Sequence, residues 1–385
     1  VMAKLKQFIP YGKQNIDEDD IAAVNAVLRS DLITQGPRVE EFEKRVAEYC
    51  GARYAVAFNS GTSALHAAVH AAGIGAEDEV ITSPLTFAAS ANAVLYNGGR
   101  PVFADIDPDT YCLDVCRFEA AITHRTRAVI PVDYAGYPVD MEELLKVARR
   151  HDLLVIEDAA HALGARRAGK KVGTEADMTM FSFHPVKHIT TGEGGMIVTD
   201  NEEFYHRLRQ FRNHGIVKDA HLMAENHGPW YYEMQDLGYN FRITDIQCAL
   251  GLSQLNKLEG FLQARSRIAQ RYDQAFKGFS PVVIPPAVSE ESRHAYHLYP
   301  LLLAESARRR EFFDYMREKR IGVQVHYVPV HLHPYYRKLF GYRLGDFPAA
   351  EDFYQREVSL PVYPGLSEEE QDYVIDCVKA YFHSS

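Results

Sequence analysis

The feature that most constrains this chain is a rhythm of short apolar runs separated by longer helical stretches through its N-terminal half. Tyr54 to Phe58, Glu79 to Ser83, Val102 to Asp105, Ala128 to Val132 and Leu153 to Glu157 have the length and residue types of buried strands. Between them, Ser63 to Ala72 and Met141 to His151 carry apolar residues at helical spacing. Buried strands alternating with helices call for a mostly parallel sheet covered on both faces, an α/β fold. Ligands of such sheets bind beyond the carboxyl ends of the strands. Asn59, Thr82, Asp158 and Ser182 stand at those ends.

Further along, Thr244 to about Gln274 reads as one long helix, and a proline-bearing stretch from Pro281 to Pro286 follows it. A strand pair at Tyr296 to Leu303 and Val323 to Tyr327, with helices near Ala307 to Lys319 and Glu368 to Phe382, predicts a smaller α+β domain. The expected organisation is therefore an N-terminal arm and large domain over 1–250, then a linking helix and small domain over 251–385. A chain of 385 residues is long enough for both.

Charge narrows the partners. A net charge of -10 and a pI near 5.9 disfavour broad attraction to nucleic acid or anionic lipid, so neither is expected as a partner. No apolar run approaches the ~20 residues that span a bilayer. Cys50, Cys112, Cys116, Cys248 and Cys377 are scattered, without disulfide density or paired zinc spacing, which points to a reducing cytoplasmic setting.

Three motifs carry chemistry. Ser60-Gly61-Thr62-Ser63 follows a strand and opens a helix, offering free N–H groups to a phosphate; an ordinary helix cap has the same look. Asp158 ends an apolar central strand, and a buried carboxylate needs a cationic or hydrogen-bonding partner. A protonated pyridine nitrogen would serve, as would the start of the next helix. Lys187 lies between the strand-like Met180-Phe-Ser182 and the loop glycines Gly192, Gly194 and Gly195, which permit close backbone approach. A lone loop lysine is usually solvated. A desolvated one has a lowered pKa and forms Schiff bases.

Phosphate turn, carboxylate and lysine, in that chain order, resemble the DegT/DnrJ/EryC1/StrS sugar aminotransferase family, within the aspartate aminotransferase (type I) pyridoxal phosphate fold. The similarity runs from Ile33-Thr-Gln-Gly-Pro37 through Gly238-Tyr-Asn-Phe-Arg-Ile-Thr-Asp-Ile-Gln247 to Val358-Ser-Leu-Pro361. It implies pyridoxal 5'-phosphate as cofactor, bound covalently by Lys187, with Asp158 paired to the pyridine nitrogen. It implies that Gly61, Thr62, Ser63 and Ser182 hold the phosphate, that Phe87 stacks on the ring, and that His161 lies near a ring substituent. Asn240 would reach the phosphate from a neighbouring subunit, making the enzyme a homodimer with shared active sites. Dehydrating relatives carry a histidine in place of the lysine, so Lys187 favours amino transfer. Many relatives have Asn where this chain has His188, which leaves the hydrogen bond of that side chain open.

Two further stretches, Gly228-Pro-Trp-Tyr-Tyr232 and Gly322-Val-Gln-Val-His-Tyr327 onward to Tyr336, resemble the branch that makes the pseudaminic acid precursor. That branch aminates C4 of a UDP-linked 4-keto-6-deoxy-N-acetylhexosamine, with glutamate as the expected donor. His184, Tyr232, His326 and Tyr327 are the candidate substrate residues. Trp230 to Tyr232 suit either a nucleobase or a dimer contact. His326, His331 and His333 lack metal-ligand spacing and a carboxylate or cysteine partner, so no metal is expected. Two other readings compete: an aminotransferase for a different nucleotide-linked 3-keto or 4-keto sugar, and a non-catalytic regulator on the same fold. Lys187 and Asp158, on an acidic chain without an added helix-turn-helix, oppose the second.

Overall fold

The structure, a computed structural model, describes residues 7–219 and 221–383; the start of the N-terminal arm lies outside the described residues. The central sheet takes β1 (Tyr54–Phe58), β2 (Glu79–Thr82), β3 (Arg100–Phe103), β4 (Thr126–Ile130) and β5 (Leu154–Asp158). After a short hairpin of β6 (Arg166–Arg167) and β7 (Lys170–Lys171), β8 (Met178–Ser182) and β9 (Gly195–Thr199) complete it. The strand order is β1-β9-β8-β5-β4-β2-β3. Neighbours from β8 to β3 pair in parallel, while β9 runs antiparallel to both β8 and β1.

Strands such as Leu154-Val-Ile-Glu-Asp158 are buried along nearly their whole length because helices cover both faces of the sheet. Phe58 and Phe181 are fully enclosed on either side of it. Burying such a side chain is worth about 1.5 to 3 kcal/mol. With the parallel strands pointing one way, their carboxyl ends gather along one edge, and register places Asp158 beside Met180 and Val132. That edge holds the polar residues.

The helix Asp245–Phe276 starts at Thr244, whose side chain forms a capping box with Gln247. Its first half, including Cys248, Leu255 and Leu262, packs on the large sheet's core. Its second half, including Ile268, Tyr272 and Phe276, packs on a separate C-terminal cluster. Two of the recognised motifs also meet at its start. Fully buried Asp245 accepts the Gly36 and Arg38 N–H groups at 2.8 and 2.9 Å, fixing the first turn of the helix Pro37–Cys50.

A two-residue ladder joins β10 (Ile216–Val217) to β11 (Glu233–Met234). The C-terminal sheet is β12 (Val282–Val283), β13 (Tyr299–Leu303) and β14 (Glu357–Leu360), all antiparallel. The expected pairing of Val323 to Tyr327 with the strand near Tyr299 is corrected here, since β13 pairs with β12 and β14 instead. Only Gln324 makes a bridge, to Ser359. The reason is local: the His326 N–H goes to the Glu357 side chain at 2.8 Å, and the His326 carbonyl accepts the Tyr134 hydroxyl. Side chains thus take the backbone groups a ladder would use.

Candidate active site

A cavity of about 390 Å³ opens at the carboxyl edge of the sheet. Gly61, Thr62, Phe87, Asp158, His161, Ser182, His184, Lys187, His326 and Tyr327 all line it. Three expected residues do not. Ser63 is turned inward, where its hydroxyl donates to Asn59 Oδ1 at 2.7 Å and closes the capping box with Ser60, so its side chain is spent on the helix start. Asn240 and Tyr232 are exposed and stand away from this chain's own cavity.

The helix Gly61–Ala71 points its N-terminus at the cavity. Ser60 satisfies the N–H groups of Ser63 and Ala64, leaving those of Gly61 and Thr62 free for an anion. Close packing makes this cradle narrow. A Cβ on Gly195 would lie 2.5 Å from the Ser60 carbonyl oxygen and 2.7 Å from Gly61, and one on Gly61 would lie 3.3 Å from Ser182 Cβ. Gly195 is therefore required for the helix start and β9 to meet, and at Gly61 a side chain would press on β8.

Asp158 is buried. Its Oδ2 accepts from Ser90 Oγ at 2.7 Å, Ser90 in turn is bonded to Thr86 Oγ1 at 2.8 Å, and Oδ1 accepts the Ala160 N–H at 3.2 Å. It makes no ion pair within 4.0 Å among the described residues. Burial pushes its pKa up, against the pull of Ser90, Ala160 and Lys187. A cation placed in the cavity beside it would reverse that push.

Lys187 faces the same cavity half-buried, with Nζ 3.4 Å from His297 Nε2. Desolvation brings its pKa down to about 7, Asp158 acting upward and Arg265 downward. A substantial share of its amine is thus neutral near pH 7 and most of it above pH 8, as a nucleophile requires. Arg265, on the long helix, is 1% exposed and has no carboxylate partner among the described residues. Its guanidinium donates to the carbonyls of Tyr296, His297, Val362 and Val186 at 2.9 to 3.4 Å, clasping the segment that leads into Lys187.

His161 accepts the Ala135 N–H at Nδ1, 3.2 Å away, so its Nε2 carries the proton and donates to the Tyr327 hydroxyl at 3.1 Å. Burial holds His161 well below the usual histidine pKa, with Lys187 adding to the effect, and it is neutral. The ring of His297 lies 4.3 Å from that of His161. The open hydrogen bond of His188 is settled by the fold: its Nε2 donates to the Ala295 carbonyl at 3.0 Å.

Sequence reasoning missed Tyr11, Thr86, Ser90, Arg265 and His297. Ser90 carried a signal, because Thr86 and Ser90 are one helical turn apart just after the second strand. Arg265 and His297 had none, being distant in sequence from every motif. Among the described residues no group of three or more His, Cys, Asp or Glu is placed to hold a metal ion. His331 instead pairs with Glu351 at 2.9 Å. No helix among them is long and apolar enough to cross a membrane.

Comparisons with known proteins identify the family. The family model of DegT/DnrJ/EryC1/StrS aminotransferases matches residues 14–379. The spore coat polysaccharide biosynthesis protein SpsC of Bacillus subtilis is 44% identical over 98% of both chains. A UDP-4-amino-4,6-dideoxy-N-acetyl-beta-L-altrosamine transaminase of Campylobacter jejuni is 40% identical over 96% of both. The solved structure of Helicobacter pylori PseC, an aminotransferase involved in the biosynthesis of pseudoaminic acid, superposes with a TM-score of 0.92 at 35% identity, covering 98% of this chain and all of that one. The free glycine-lined helix start, the buried Asp158 and the desolvated Lys187 thus sit in a chain that belongs, along nearly its whole length, to the DegT/DnrJ/EryC1/StrS aminotransferase family.

Proposed function

We propose that this sugar aminotransferase uses pyridoxal 5'-phosphate to move an amino group from glutamate to C4 of a UDP-linked 4-keto-6-deoxy-N-acetylhexosamine. The observation that carries the cofactor assignment is the opposition, across one cavity, of a half-buried lysine and a buried carboxylate that lacks an ion pair. The residues fit the group. Gly61 and Thr62 N–H groups with Ser182 would hold its phosphate, Asp158 its ring nitrogen, Phe87 its ring face and Lys187 its aldehyde carbon.

The bound cofactor supplies an electron sink for the bond broken at the amino-bearing carbon. Every other task falls to the protein. Asp158, kept in place by Ser90 and Ala160, supplies the negative charge that stabilises a cationic ring nitrogen. Lys187 Nζ, whose pKa of about 7 lets it gain and lose a proton near neutral pH, accepts a proton and returns it, and its contact with His297 holds it within the cavity. His184, His326 and Tyr327 also line the cavity and would face the sugar.

The choice of sugar rests on the transaminase relatives and on the stretches around Trp230 and His326. The 44% identity to SpsC favours a second reading, in which the same site aminates another nucleotide-linked keto sugar destined for a surface polysaccharide. We further propose a homodimer with shared sites. Asn240 lies outside its own cavity, and the segment carrying Trp230, Met234 and Leu237 leaves each of these side chains more than half exposed. A cytoplasmic setting accords with five free cysteine thiols. Incubating the protein with pyridoxal phosphate, glutamate and a panel of UDP- and dTDP-linked 3-keto and 4-keto sugars tests the substrate. Selective formation of the 4-amino product from the UDP sugar is expected; turnover of a dTDP or 3-keto sugar alone would overturn the choice.

A further inference from the structure

His326 occupies a wall of the cavity, and its ring is held from behind. Nδ1 is 2.8 Å from Ser359 Oγ. Ser359 Oγ is 2.5 Å from Glu357 Oε1, and Glu357 Oε2 accepts the His326 N–H at 2.8 Å. Ser359 and Glu357 are fully buried on β14. The far ring atom, Nε2, has no hydrogen-bond partner among the described residues and is left to meet whatever enters the cavity.

Resting on the sugar aminotransferase reading, we propose that Glu357 and Ser359 are positioning residues that set whether His326 offers the acceptor sugar a hydrogen-bond donor or an acceptor at Nε2. The logic is that of a short proton file. When Glu357 is protonated, its O–H donates to Ser359 Oγ, the Ser359 O–H donates to Nδ1, and the single proton of the neutral imidazole sits on Nε2, facing the cavity. When Glu357 is ionised, Ser359 donates to the carboxylate, Nδ1–H donates to Ser359, and Nε2 presents a lone pair. Converting the first state to the second releases one proton from Nε2 into the cavity. The Ser359 proton moves to Nδ1 and the Glu357 proton to Ser359, so the proton delivered is in effect drawn from Glu357.

Several groups surround this file. Burial pushes Glu357 up to about 8, against hydrogen bonds from Ser359 and the His326 N–H and the charge of Arg309 on the helix Arg309–Glu318. Tyr134 donates to the His326 carbonyl, Tyr327 adjoins it in sequence, and Tyr11 from the N-terminal arm lies ring to ring with it at 5.2 Å. Burial, with the nearby Lys187, brings His326 down to about 3, so the ring stays neutral and only its tautomer changes. The donor form therefore holds below pH about 8, suited to a keto or hydroxyl oxygen, and the acceptor form above it.

The test reads the tautomer directly. Nitrogen-15 NMR of holoenzyme labelled at histidine, with the His326 signals assigned by their loss in His326→Gln, reports which ring nitrogen carries the proton. Wild-type protein should show Nε2–H below pH about 8 and Nδ1–H above it. Glu357→Gln, whose amide can donate to Ser359 but cannot ionise, should hold Nε2–H throughout. Ser359→Ala serves if that variant does not fold, and should abolish the pH-dependent exchange. One tautomer across the range in wild type, or an exchange that survives either substitution, would overturn the relay. The readout needs no turnover, so a protein that switches tautomer yet aminates no keto sugar would refute the substrate reading and leave the relay standing.

Discussion

Lys187 gives the most quantitative expectation. An ordinary lysine has a pKa of about 10.4, so at pH 8 only about 0.4% of it is free amine. With its pKa brought to about 7 by desolvation, Lys187 is roughly nine-tenths free amine at the same pH, a gain of more than two hundredfold in reactive form. The perturbation is pH itself, applied to apoenzyme mixed with pyridoxal phosphate in a stopped-flow spectrometer. The rate of cofactor capture should rise through pH about 7 and flatten above it. The sign has an internal control. Asp158 acts upward on Lys187, so Asp158→Asn should move the midpoint down rather than up. A rate that keeps climbing tenfold per pH unit through pH 9, or a midpoint that rises in Asp158→Asn, would refute the reasoning.

Three other outcomes follow from the geometry. Asp158→Asn should keep the cofactor but slow the half-reaction with glutamate on the order of 10²-fold, the scale of a lost electrostatic interaction at the reacting centre; single-turnover absorbance measures it. Gly195→Ala places a methyl 2.5 Å from the Ser60 carbonyl oxygen and should destabilise the protein by about 1 to 3 kcal/mol in urea unfolding while weakening cofactor retention on dialysis. Asn240→Ala should weaken cofactor binding about ten- to a hundredfold, the cost of a charge-assisted hydrogen bond of roughly 1.5 to 3 kcal/mol. Hybrid dimers of Asn240→Ala with Lys187→Ala chains should recover one tight site, and failure to recover it would remove Asn240 from the neighbouring chain's site.

The large sheet was legible because its strands are buried on both faces and so read as plain apolar runs, from Tyr54–Phe58 to Leu154–Asp158. The ends of those runs led directly to Asp158 and Ser182. The C-terminal sheet was harder. Val323 to Tyr327 has the composition of a strand, but Glu357 and Tyr134 claim the backbone of His326, and nothing local to the segment announces partners so distant in sequence. The same holds for Arg265, which reaches the Val186 carbonyl from the long helix, and for His297, which reaches Lys187 from just before β13. Ser63 misled for the opposite reason. A serine at the start of a phosphate turn looks like a ligand, and only the 2.7 Å bond to Asn59 shows its hydroxyl committed to the helix cap.

The central claim is that Lys187 holds the cofactor of an aminotransferase. Reducing the holoenzyme with borohydride, digesting it and weighing the peptides tests this at one residue. The account predicts the pyridoxyl mass on the peptide containing Lys187, and no trapped cofactor in Lys187→Ala. The same label on any other lysine, or undiminished trapping in Lys187→Ala, would contradict it.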